Sequence, residues 1–198
     1  MKRIGLDVDG VLADFNTSFI RLIISVTGRD LFPPRPFDIP TWDYSEHYGY
    51  TSSEMSKVWQ DIKDSPDFWA SLPPYAGVKN LISLLKERKD DVYFITSRPG
   101  QTAKAQTEEW LELFNVIRPT VLICSEKGFA AKALDLDIYV DDRTENYVDV
   151  LAQSPNTAVI RMIRPWNKHV DGTWSVQTLE EVGQCVNYLS SSYYTCPV

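Results

Sequence analysis

The chain opens with a short apolar run, Ile4 to Leu6, that ends at once in Asp7-Val8-Asp9-Gly10. A run of this kind reads as a buried strand of a parallel sheet. The two carboxylates then stand at the C-terminal end of the strand, in the crevice where α/β sheets bind ligands. Two acids held there unpaired cost several kcal/mol in repulsion and desolvation, so the pattern implies a cation. Gly10 lets the chain turn away without placing a Cβ in the site.

Further strand candidates follow at Val92–Thr96, Thr120–Cys124, Ile138–Val140 and Thr157–Ile160. Most are short and β-branched and end at Asp, Ser or Thr. Between them lie helical patterns at Val78–Lys89, Thr102–Phe114, Lys127–Leu134, Asn146–Ala152 and Leu179–Leu189. The first of these repeats its apolar residues with near-helical period. Alternating strands and helices imply βαβ crossovers, hence an α/β, Rossmann-like fold with a mostly parallel sheet flanked by helices. Residues 15–75 break the alternation. They hold a helix-like stretch (Phe19, Leu22, Ile23, Val26), a proline-rich turn at Pro33-Pro34-Arg35-Pro36, and an aromatic tract from Trp42 to Trp69. Met55–Ile62 reads as a helix that Ser53-Glu54 helps to cap. The expected organisation is a core domain of residues 1–14 and 76–198, with a small helical cap, 15–75, inserted after the first strand. The tail from Ser190 onward reads as loosely held.

Composition narrows the function. The net charge is −7 and no basic cluster stands out, which argues against a surface that coats polymeric nucleic acid. Cys124, Cys185 and Cys196 are widely spaced and form no CxxC, so a zinc site or a disulfide framework is not expected, and the default compartment is a reducing cytoplasm. No signal peptide is visible, and no apolar run approaches the ~20 residues that span a bilayer.

Four groups fall at the ends of expected elements: Asp7 with Asp9; Thr96-Ser97-Arg98-Pro99 after a strand; Lys127 at a helix start; and Asp141-Asp142-Arg143 after another strand. In a parallel sheet all four loops open on one edge. Several carboxylates, a hydroxyl donor and a fixed cation suit a phosphoryl group with Mg²⁺. Taken singly, each motif has a plain structural reading: a turn, a helix cap, a solvated lysine, an acidic first turn. Those readings would have to hold at four sites in register.

In this order the motifs resemble the haloacid dehalogenase-like superfamily of phosphohydrolases. Asp7–Phe15, Trp42 with Ser45-Glu46-His47-Tyr48-Gly49, Ser65-Pro66-Asp67-Phe68-Trp69 with Leu72 and Pro74-Tyr75-Ala76-Gly77, and Asp141-Asp142-Arg143 are similar to the 5'(3')-deoxyribonucleotidases. The resemblance implies that Asp7 is the nucleophile and Asp9 the general acid and base. It implies that Asp7, the Asp9 backbone carbonyl and Asp141 bind Mg²⁺, with Asp142 holding a metal-bound water. Thr96 and Lys127 would bind phosphate oxygens. Because the spacing from Lys127 to Asp141 is long for the family, Lys132 is a rival for the lysine role. Phe15, Trp42 and Trp59 would stack on the base, a contact worth about 1–3 kcal/mol and tolerant of base identity. Thr41-Trp42 stands where relatives carry two adjacent aromatics, which removes half of that platform. Ser97, Arg98 and Arg143 are further candidates for substrate contact, whereas His47 and His169 read as structural. The function expected is a Mg²⁺-dependent nucleotidase acting on a small nucleoside monophosphate, and a homodimer is compatible with it. The competing readings are a phosphatase for another small phosphomonoester, such as a sugar phosphate, and a binding module without catalysis.

Overall fold

The computed structural model describes residues 1–32, 40–41, 43–168 and 174–191. Six strands form one parallel sheet: β1 (Arg3–Leu6), β2 (Asp91–Thr96), β3 (Thr120–Ile123), β4 (Ile138–Asp141), β5 (Ala158–Met162) and β6 (Trp174–Val176). Their spatial order is β3-β2-β1-β4-β5-β6. β1 therefore lies inside the sheet, with Leu6 level with Phe94 of β2 and Val140 of β4. The chain reverses its winding direction at β1, and such a switch point opens a crevice at the strands' carboxyl ends.

Eight α-helices are seen among the described residues: α1 (Phe15–Thr27), α2 (Tyr44–Tyr48), α3 (Ser52–Asp64), α4 (Val78–Glu87), α5 (Ala103–Glu112), α6 (Lys127–Ala133), α7 (Thr144–Gln153) and α8 (Leu179–Ser190). Side chains alternate across the sheet. Ile4, Leu6, Phe94 and Val140 pack with Leu81 and Leu85 of α4, Trp110 of α5 and Val182 and Val186 of α8. Ile95, Tyr139 and Val159 face the other way, against Ala130 and Ala131 of α6 and Val150 of α7. Burial on both faces is why the strands read as continuous apolar runs.

β6 and α2 were not expected from the sequence. β6 has three residues, of which only Val176 is buried, too few for a periodic signal. The cap of α3 also differs. Thr51, not Ser53, accepts from the Glu54 amide, and the Glu54 carboxylate returns a bond to the Thr51 amide at 2.7 Å. This reciprocal pair satisfies two donors that the first helical turn leaves open.

The chain leaves the sheet region at Asp14 and returns at Tyr75. The two passages run side by side, with Asp14 N donating to Pro73 O at 2.7 Å and Tyr75 N to Leu12 O at 2.8 Å. Between them α1 packs on α3 above the strand ends. Phe15, Phe19, Val58 and Trp69 from this insertion join the same hydrophobic core as β1.

Candidate active site

Asp7 ends the buried strand β1, and its own amide is tied to Val140 O at 2.9 Å. Lys127, the first residue of α6, is 1% exposed and brings Nζ to Asp7 Oδ1 at 2.7 Å and to Ile95 O at 2.5 Å. Gly128 lets α6 pack closely on α7. A Cβ there would come 2.4 Å from Asp149 O, and the Gly128 amide instead donates to Asp149 Oδ2 at 2.6 Å. Burial raises the Asp7 carboxyl to about 7; Lys127 opposes the rise, while Asp141 and Asp9 add to it. Lys132 lies at the other end of α6 and is exposed, so the structure brings Lys127 and not Lys132 to the acids.

Asp9 is held from the loop after β2. Arg98 grips it with two bonds, Nε to Oδ2 at 2.9 Å and Nη2 to Oδ1 at 2.8 Å, and Thr96 Oγ1 donates to Oδ2 at 3.2 Å. The Arg98 side chain is wholly buried. Its remaining nitrogen donates to Thr107 Oγ1 at 2.9 Å, and its face lies 4.9 Å from the Trp69 ring. Arg98 is thus engaged with the protein itself and has little surface left for a substrate. A fork of this kind is the strong form of a charged hydrogen bond.

The third group comes from β4. Asp141 accepts from Tyr139 Oη at 2.6 Å, from the Arg143 amide at 2.8 Å, and from Asn146 Nδ2 at 3.0 Å on each oxygen. Asp142 accepts from Trp166 Nε1 at 2.9 Å through Oδ2, while its Oδ1 is buried with no protein partner. Burial, reinforced by Asp141 and Asp7, pushes the Asp142 carboxyl well above the usual range. Gly10 sits against this carboxylate with φ +80°; a Cβ there would fall 2.2 Å from Asp142 Oδ2. Among the described residues no three His, Cys, Asp or Glu side chains are grouped so as to hold a metal ion by themselves. A hydrated Mg²⁺ does not need such a group, since it binds through one or two carboxylates and keeps several waters. Buried carboxylates at 7, 141 and 142, one with an orphaned oxygen, are a hard donor set that fits such an ion.

Above these acids is a cavity of about 270 Å³ lined by Asp7, Asp9, Thr96 and the rings of Phe15, Trp59 and Trp69. Phe15 leads α1, whose first turn is capped by Asp14. Its ring stacks at 5.6 Å on Trp69 and at 6.1 Å on Trp59. Ser97 and Arg143 reach the same cavity. Ser97 Oγ donates to Cys124 O at 3.1 Å, and the exposed Arg143 lies 3.6 Å from Glu145. Trp42, expected on the base platform, lies outside the described residues, as does His169. The sequence reading did not assign Phe19, Tyr44 and Asn146 to this cavity, although all three line it. It also found no role for Arg164-Pro165-Trp166-Asn167, which the structure sets directly on the acids. Neither set carries a local motif; only the packing brings them in.

A parallel sheet that turns at β1 and gathers its acids at the carboxyl edge is the fold of the haloacid dehalogenase-like proteins. A solved member from Streptococcus pneumoniae superposes with a TM-score of 0.65 at 14% identity, covering 96% of this chain and 99% of that one. Within that class the family model "5' nucleotidase, deoxy (Pyrimidine), cytosolic type C protein" matches residues 1–191, and the chain belongs to this family of phosphoric monoester hydrolases. The human mitochondrial 5'(3')-deoxyribonucleotidase is 28% identical over 153 residues, 72% of this chain and 63% of that protein. A relative from Bacillus cereus is 26% identical over 113 residues, 55% of this chain and 57% of that protein. The chain therefore matches less than two thirds of the length of either relative. Among the described residues no helix is long and apolar enough to cross a membrane.

Proposed function

We propose that this phosphomonoesterase is a Mg²⁺-dependent nucleotidase that hydrolyses deoxyribonucleoside monophosphates through an aspartyl-phosphate on Asp7. The observation that carries the reading is the buried ion pair of Asp7 and Lys127, 2.7 Å apart, on the floor of an aromatic-walled cavity. A buried carboxylate is a poor nucleophile toward a phosphate dianion unless positive charge stands beside it. Lys127 supplies such charge.

In this reading Asp7, Asp141 and the Asp9 carbonyl would hold the cation, and Asp142 would hold a water of its shell. When bound, Mg²⁺ supplies the charge that offsets the phosphate oxygens. Asp7 attacks phosphorus and the P–O bond to the nucleoside breaks; for Asp9 to act as the acid it leaves the Arg98 fork, in which both its oxygens accept, takes up a proton from solvent and passes it to the departing oxygen. Asp9 then takes a proton from water, which attacks phosphorus and frees Asp7 and phosphate. Thr96 and Lys127 hold the phosphoryl oxygens through both steps.

Phe15, Trp59 and Trp69 form the wall for the nucleobase, with Trp42 as a further candidate. Tyr44, the ring there with a hydroxyl donor, donates it to Asn16 Oδ1. The wall therefore selects by stacking and size more than by the base's edge. We read residues 15–75 as the cap and the cytosol as the compartment; the partner is the small-molecule substrate. The test is phosphate release from a panel of ribo- and deoxyribonucleoside monophosphates and sugar phosphates, with Mg²⁺ and with a chelator. Turnover of dTMP or dUMP that requires the metal and is absent in Asp7→Asn is expected. Sugar phosphates turned over far faster than every nucleotide would overturn the substrate class.

A further inference from the structure

The segment between β5 and β6 touches both acidic loops. Arg164 Nε donates to Gly10 O at 2.6 Å, in the turn that follows Asp7 and Asp9. Its guanidinium also lies 3.9 Å from the Tyr75 ring, where the chain re-enters from the insertion. Trp166 Nε1 donates to Asp142 Oδ2 at 2.9 Å. Asn167 Nδ2 donates to Asp142 O at 2.5 Å and to Met162 O at 2.8 Å.

The segment is itself fixed. Asn167 Oδ1 accepts from the Arg164 amide at 2.8 Å, which closes a short 3-10 turn over Pro165–Asn167. Arg161, buried in β5, anchors the turn from below by donating to Asn167 O at 2.8 Å and to Ser175 Oγ at 2.9 Å. Pro165 restricts φ at the start of the turn. Every link from the sheet to Asp142 is thus a hydrogen bond between ordered groups.

The effect on Asp142 is specific. The indole N–H is a donor only, so it engages one oxygen of the carboxylate and leaves the other for a different donor. Gly10 leaves room for the carboxylate and nothing larger, since a Cβ would sit 2.2 Å from Oδ2 and 2.8 Å from Oδ1. The other oxygen, Oδ1, is buried and has no protein partner. A buried acceptor without a protein partner costs on the order of 1–3 kcal/mol, so Oδ1 is placed to accept from a water or an ion's hydration shell.

We infer that Arg164, Trp166 and Asn167 form a clasp across the two acidic loops, and that Trp166 is a positioning residue that leaves Asp142 Oδ1 open to the hydration shell of the bound cation. The inference rests on the metal reading above and adds a fifth stretch of chain to the four that the motifs mark. Outer partners of this kind orient ligands, and losing one typically weakens metal affinity about 10–100-fold.

The experiment is titration of the full chain with Mn²⁺, followed by calorimetry and by the electron paramagnetic resonance of the free ion. It compares the unaltered protein with Trp166→Phe and Trp166→His, at a temperature where circular dichroism shows all three folded. The expected result is at least about ten-fold weaker binding in Trp166→Phe, partly recovered in Trp166→His, which keeps a ring N–H. The rise in melting temperature on adding Mn²⁺ shrinks in the same order, because ligand stabilisation follows affinity. In phosphatase assays KM for the metal rises by more than kcat falls. Equal Mn²⁺ affinity in Trp166→Phe and the unaltered protein overturns the inference and leaves the site reading standing. Absence of Mn²⁺ binding in the unaltered protein overturns both.

Discussion

Arg98→Met tests whether Asp9 is held by the buried guanidinium. Methionine keeps much of the length and apolar bulk of the arginine stem while deleting every donor. The change removes the two bonds to Asp9 and the contact with the Trp69 face. Thr107 Oγ1 keeps its 2.6 Å bond to Ala103 O, so Thr107 is not orphaned, and the cost falls on Asp9. Breaking a fully buried ion pair from one side costs about 3–5 kcal/mol. Here 19% of the Asp9 side chain faces the cavity, so water can rehydrate part of it. A loss of about 2–3 kcal/mol follows, at or below the low end of that range. For a chain of this size each kcal/mol moves Tm by roughly 2–4 °C, so calorimetry reads a fall of about 5–10 °C. Asp9 also loses its aim, and a misplaced acid lowers kcat by about ten-fold or more. The double variant Arg98→Met with Asp9→Asn destabilises by less than the two single changes added, since both remove the same pair. A Tm within about 2 °C of the unaltered protein, together with unchanged turnover, would refute the reasoning.

Other outcomes follow from the same geometry. Lys127→Ala abolishes measurable phosphatase activity while Lys132→Ala retains it, because only Lys127 reaches Asp7; the reverse pattern in a phosphate-release assay would reassign the lysine. Gly10→Ala weakens Mn²⁺ binding measured by calorimetry, because the new Cβ would strike the Asp142 carboxylate and would have to adopt φ +80°. Gly5→Ala lowers stability by about 1–3 kcal/mol in denaturant titration, since its Cβ would meet Leu136 Cδ1 at 2.6 Å and Tyr139 Cδ2 at 2.7 Å in a packed layer. The Glu54 carboxyl is lowered to about 2 by the Thr51 amide and Arg29. A lowered carboxylate stabilises above its unfolded pKa and loses that contribution as pH falls through the folded value. Melting curves of the unaltered protein and Glu54→Gln therefore differ at pH 7 and converge as pH drops toward about 2.

The alternation of apolar runs and helical periods was legible without coordinates because each central strand is buried on both faces and so carries an unbroken apolar signal. Five strands and the helices around them were expected within a few residues of where they lie. The same logic placed Asp7, Asp9, Thr96, Lys127 and Asp141 on one sheet edge, since parallel strands leave no other place for their ends. The insertion was legible only as an interruption. Its aromatic residues follow no period, and by that irregular spacing Trp69 reads as cap core and not as a platform for substrate. It serves both the core and the cavity, stacking on Phe15 and on Arg98.

Local chemistry written along the chain determined the elements, their parallel winding and the acids at their carboxyl ends, because those depend on neighbours a few residues apart. The tertiary structure brought to Asp7 the lysine that the pattern after β3 already favoured, Lys127 over Lys132, and it alone turned Arg98 inward to Asp9 and brought Trp166 to Asp142. The last two are pairings between groups many residues apart, and spacing along the chain carries no information about which of those donors a carboxylate will meet.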